Sequence, residues 1–144
     1  MGGGVLFDLS HELDYISFLF GDLRSLTGDV GKKSDVTVDA DDYAELSVST
    51  DTVANITVHL DIANHARERA IIIQYRDGKT IIGDLLNGTI RSNGDVVKLS
   101  PSDMYEEQIN YFFSNIDNPM LMNNLTDAAR LFRTIVLFNE SVAR

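Results

Sequence analysis

The chain has 144 residues, 44% hydrophobic and 24% charged, and no cysteine; that is enough for one domain with a real core, and it excludes disulfides, thiolate nucleophiles and sulfur-bound zinc. Twelve Lys/Arg stand against 22 Asp/Glu, a net charge of −10, and residues 1–66 hold three of the former and twelve of the latter, so no basic stripe is offered to nucleic acid or an anionic membrane. No apolar run reaches the ~18 residues of a membrane span and no signal peptide is recognisable, so the cytoplasm is the expected location.

Leu6, Leu9, Leu13, Ile16 and Phe20 recur at three- and four-residue steps, which predicts one helix over 5–20. Gly21 stops it, since glycine takes positive φ at no steric cost. Gly28 to Ser34 has only a faint likeness to a phosphate loop: the glycine spacing is wrong and no strand is expected before it, so it reads as a polar connector. Asp39-Ala40-Asp41-Asp42 lacks the central glycine and closing glutamate of a calcium loop and reads as an acidic turn. Asn-x-Ser/Thr sequons at Asn55, Asn87, Asn124 and Asn139 have no chemical meaning without a secretory leader.

From about 34 to 99 the period changes to two. Ala44, Leu46 and Val48 alternate with polar residues, as do Ala54, Ile56, Val58, Leu60 and Ile62. Residues 70–75 are nearly continuously apolar and predict a central strand covered on both faces. Asp77-Gly78, Asn87-Gly88 and Asn93-Gly94 are hairpin turn signals, so the strands form a meander. Ser100-Pro101-Ser102-Asp103 then caps a helix with Tyr105, Ile109, Phe112, Phe113 and Ile116 on one face. Asn118-Pro119 breaks the chain. A last helix over about 126–142 turns Ala128, Leu131, Phe132, Ile135, Phe138 and Val142 inward. Segregated helix, sheet, helix, helix order predicts an α+β fold: a predominantly antiparallel open sheet with helices on one face, spanning 1–144 as a single domain.

Chemistry concentrates in the first helix. Asp8, His11, Glu12 and Asp14 lie within seven residues, after Gly2-Gly3-Gly4. Spacings of three and four put Asp8, His11 and Glu12 on one helical face. Histidine exchanges protons near neutral pH and a carboxylate can orient it; glycines let a main chain approach a ligand closely. A plain polar helix face fits the same spacing. No third ligand with recognisable spacing supports a metal site. His65 and Arg67 lie on a connector, where an arginine suits a carboxylate or phosphate. His59, on the polar face of a strand, reads as sheet surface or subunit contact.

Gly2-Gly3-Gly4-Val5-Leu6-Phe7-Asp8, His11-Glu12-Leu13-Asp14 and Phe20-Gly21 resemble the opening of the C-terminal domain of the glucose–fructose oxidoreductase / inositol dehydrogenase (Gfo/Idh/MocA) family. The later sheet and helices agree in order. The resemblance implies a domain for substrate binding and oligomerisation, with NAD or NADP held by an N-terminal Rossmann domain and not by these 144 residues alone. It implies His11 as the base for a sugar hydroxyl, with Asp8 holding substrate or orienting His11. Gly3, Gly4, His65 and Arg67 are expected on the substrate, and Gly2 to Gly4 is the only stretch expected near the cofactor. The family's acid stands four residues before its histidine, whereas Asp8 stands three before His11. The partners implied are a sugar, sugar derivative or nucleotide sugar, and a second copy of the chain across the open sheet face. A non-catalytic assembly module is the alternative, suggested by the polar, nearly uncharged row Ser47, Ser49, Asn55, Thr57 and His59.

Overall fold

Strand backbones need partners for every N–H and C=O, and here each strand finds its neighbour in sequence. The computed structural model describes residues 3–35, 37, 39–99, 104–118 and 124–142. Its elements in chain order are α1 (Gly4–Asp8), α2 (Ser10–Phe20), β1 (Leu23–Gly31), β2 (Tyr43–Thr50), β3 (Ile56–Asp61), β4 (Ala70–Gln74), β5 (Thr80–Asp84), β6 (Thr89–Ser92), β7 (Asp95–Lys98), α3 (Met104–Ser114) and α4 (Leu125–Val142). The fold is α+β and every strand pairing is antiparallel. The strands divide between two sheets, β1-β2-β3 and β4-β5-β6-β7. Two compact units result: Met1–Asn64 with Pro119–Arg144, and His65–Asn118.

In the first unit, Ala44, Leu46, Val48, Val58 and Leu60 form the buried face of β2 and β3. Val5, Leu6, Leu13 and Ile16 of α1 and α2 and Ile135 and Phe138 of α4 complete this core. Three sequence expectations are corrected. The first helix is two, broken at Leu9 (φ −107°, ψ 24°), so Asp8 and His11 are not on one continuous helix. Ala128, Phe132 and Val142 of α4 are exposed, leaving Leu131, Ile135 and Phe138 as its inward stripe.

The third correction is β1, a strand where a connector was expected. Its apolar residues Leu23, Leu26 and Val30 do not alternate, because the ladder slips between Leu23 and Ser25. That bulge returns Leu23 to the core side, where it joins Leu26 and Val30 against the buried cluster. Gly28 lies at φ +141°, and a Cβ there would sit 2.1 Å from the Glu45 carbonyl oxygen. The glycine that looked like part of a loop is what lets β1 close on β2.

In the second unit, the hairpin turns fall where expected, with Gly78, Gly88 and Gly94 all at positive φ. Residues 70–74 form an edge strand and not a covered central one. Their apolar run arises because Ile71 and Ile73 face one side and Ile72 the other, where Ile72 stays exposed. Among the described residues of this unit none is buried, and α3 is exposed along its length from Tyr105 onward. The cap expected at residues 100–103 and the break at Pro119 lie outside the described residues.

Candidate functional site

The break at Leu9 starts a new helix at Ser10, which places His11 and Glu12 in its first turn. Leu13 and Ile16 pull one side of α2 into the core, and Glu12 goes in with them. The Glu12 side chain is 11% exposed and that of His11 53%, with His11 Nε2 3.2 Å from Glu12 Oε1. The Tyr15 hydroxyl donates to Glu12 Oε2 from one turn further along α2. A largely buried carboxyl thus touches an exposed imidazole on one side and a phenol on the other. Such an arrangement can hold an imidazole in one orientation while leaving its face open to a ligand.

Asp8 ends α1 and is exposed, and no hydrogen bond or ion pair joins it to His11. Gly3 is exposed at the entry to α1. Gly4 is buried at φ +71° beside Asp41, whose carbonyl accepts the Val5 N–H at 2.8 Å. Gly2 lies outside the described residues. His65 and Arg67 belong to the second unit, both exposed, with Arg67 at φ +43°. Glu12 is the residue that reasoning from the sequence passed over in favour of Asp8. Its three-residue spacing to Tyr15 was the available signal, since such pairs meet on a helix.

A second polar cluster occupies the open face of β1-β2-β3. His59 Nδ1 lies 2.7 Å from Glu45 Oε2, and the Tyr43 hydroxyl donates to the same oxygen at 3.1 Å. Tyr43 meets the His59 ring edge-on at 5.3 Å, and Lys33 Nζ lies 3.0 Å from the Tyr43 ring centre. The hydrogen bond to His59, and then that from Tyr43, hold the Glu45 carboxyl below its ordinary value of 4.5. Asp42 is lowered likewise, first by the Lys33 backbone N–H at 2.7 Å. With the acceptors of Asp42 filled by residues 33 and 34, the expected acidic turn is a hydrogen-bonded clasp between β1 and β2.

Among the described residues no three His, Cys, Asp or Glu side chains gather as a metal ion requires, and no described helix is long and apolar enough to cross a membrane. All strands are antiparallel, so these residues contain no βαβ unit to cradle a dinucleotide. Residues 1–81 match the family model described as the GFO/IDH/MocA C-terminal domain. That stretch runs from α1 into β5 and includes His11, Glu12 and Tyr15. No curated protein and no solved structure matches the chain significantly.

Proposed function

The chain belongs to the GFO/IDH/MocA C-terminal domain family, and from that premise we propose that it forms the substrate side of a cytoplasmic NAD(P)-dependent oxidoreductase. The reaction class is hydride transfer between a nicotinamide and a sugar, sugar derivative or nucleotide sugar. Since the described residues offer no dinucleotide cradle, the cofactor is assigned to a Rossmann domain outside them.

The observation that supports this reading is the His11–Glu12–Tyr15 arrangement. Oxidation of a hydroxyl to a carbonyl requires the oxygen to give up its proton, and His11 is the exposed imidazole that stands in the family's opening motif, beside a largely buried carboxyl. Glu12 is the positioning residue: its carboxyl orients the imidazole, while Tyr15 fixes Glu12. Asp8, exposed and separate from His11, is assigned to a substrate hydroxyl. Gly3 and Gly4 bring backbone near the ligand, and His65 and Arg67, in the second unit, are assigned to an acidic ligand group.

In the enzyme carrying both domains, His11→Ala is expected to lower kcat by about 10²–10⁴-fold, with dinucleotide affinity unchanged. Glu12→Gln is expected to lower kcat less while leaving KM and dinucleotide affinity unchanged, a split that a purely structural loss would not give. Unchanged turnover in His11→Ala would remove His11 from the reaction. Tight dinucleotide binding by the 144-residue chain alone would overturn the division of labour.

Assembly is proposed for the same chain. The face of β4-β5-β6-β7 that carries Ile71, Ile73, Ile81, Ile90 and Val97 is apolar by register, and its unit has no buried residue of its own. A second copy across this face is the expected cover. Light scattering should give at least twice 16.0 kDa, with Ile73→Asp returning the monomer; a wild-type monomer would refute it.

A further inference from the structure

The four-stranded sheet holds a basic hollow that neither His11 nor the apolar face accounts for. Pairing sets Ala70 opposite Asp84 and Ile82 opposite Arg91, and all four share one face. Residues 67–69, approaching β4, and Leu86-Asn87, in the β5–β6 turn, complete the walls of a cavity of about 190 Å³. The Leu85 N–H donates to the Arg69 carbonyl at 2.9 Å and fastens the approach segment beside that turn. Three arginines, Arg67, Arg69 and Arg91, line this one cavity in a chain of net charge −10.

Two acids share the walls. Asp84 is committed to the turn: it accepts from the Leu86 N–H (3.1 Å), the Asn87 N–H (2.9 Å) and the Asn87 side-chain amide (2.7 Å). Three arginines against Glu68 and Asp84 give the lining residues a net positive charge. One further detail marks the place. Arg67 sits at φ +43°, a conformation that non-glycine residues rarely take and that often accompanies a ligand clamp.

We propose that this cavity binds the phosphate or diphosphate group of a sugar ester. A volume near 190 Å³ is below the roughly 300–1,000 Å³ of pockets that enclose a whole ligand, so it takes a group and not an entire sugar nucleotide. One guanidinium fork satisfies a carboxylate; three arginines match the greater charge and oxygen count of phosphate esters. Reading the ester as a sugar derivative rests on the functional reading above. The cavity itself does not, and Ile82, Asp84, Leu86, Asn87 and Arg91 lie beyond the residues matched to the family.

The test is calorimetric titration of the 144-residue chain at low salt with inorganic pyrophosphate, phosphate and malonate. Pyrophosphate should bind most tightly and malonate least. Arg91→Ala should weaken pyrophosphate about tenfold or more, Arg91→Lys less, and Arg76→Ala, which removes the same charge outside the cavity, by under about twofold. No pyrophosphate binding, equal binding of malonate, or equal losses in Arg91→Ala and Arg76→Ala would overturn the site. A sugar phosphate and a nucleoside diphosphate sugar are then titrated to tell which ester occupies it. Failure of both while pyrophosphate binds would overturn the assignment to a sugar ester. Turnover is not read, so failure of the oxidoreductase reading would show separately, in His11→Ala.

Discussion

Residues 43–61 and 70–98 are both antiparallel ladders of short, apolar strands, yet they end in opposite states. In the first, Ala44, Leu46, Val48, Val58 and Leu60 all face one way and meet two helical stretches and α4, while Tyr43, Glu45, Ser47 and His59 face the other way. In the second, isoleucines occupy both faces, and no described residue is buried. A sheet stabilises itself when its apolar side chains are sorted to one face and a helix covers that face. Unsorted apolar strands form a ladder without a core.

The contrast can be broken or sharpened by paired substitutions, compared by urea midpoint. Leu46→Ala empties the centre of the first core and is expected to cost about 3–5 kcal/mol. Ile72→Ala, on a side chain 62% exposed, should stay under about 1 kcal/mol. Equal losses would mean that the cavity-bearing face of the second sheet is covered in solution. Glycines give the next pair. Gly28→Ala forces a Cβ against the Glu45 carbonyl and should cost about 2–4 kcal/mol. Gly83→Ala meets nothing nearer than 3.9 Å and is expected to change stability by under about 0.5 kcal/mol.

The smallest effect expected is on pH dependence. Hydrogen bonds hold Asp42 and Glu45 in the first unit and Asp84 in the second below their ordinary values, Asp84 chiefly through the Asn87 side-chain amide. A carboxyl lowered in the folded state is deprotonated more readily there than in the unfolded chain. Its stabilisation is therefore complete above the ordinary values of 3.8 and 4.5 and is lost as the pH falls through the folded values. Acid also relieves the repulsion of a −10 chain, so the comparison is between variants. Glu45→Gln should lose less in Tm than the wild type between pH 5 and pH 3; an equal or steeper loss would rule out a contribution from the Glu45–His59 contact.

Much of this was written in local pattern. The strict alternation of 43–49 and 56–61, the inward positions of α2 and the Asp-Gly and Asn-Gly turns each follow from a period or a φ requirement carried by a few neighbouring residues. The family's opening motif, with His11 in it, was legible for the same reason. β1 was not, because its bulge between Leu23 and Ser25 spoils the alternation and its Gly28 imitates a loop. The pairing of Asp8 with His11 assumed one helix running through Leu9, where the backbone breaks; the role of Asp8 itself came from the family resemblance, while the contact with His11 is made by Glu12.

What the sequence determined by itself is therefore whatever depends on contacts within a few residues: element types, turn positions, the polar and apolar face of each strand in the first sheet, and the family through its opening motif. The tertiary structure decided the rest. It split the strands into two sheets, gave Glu12 a core-side place beside His11, and drew Arg67 and Arg69 together with Arg91 around one hollow. These outcomes depend on which surfaces meet across long sequence separations, where burial and the satisfaction of backbone hydrogen bonds, not local propensity, set the free energy.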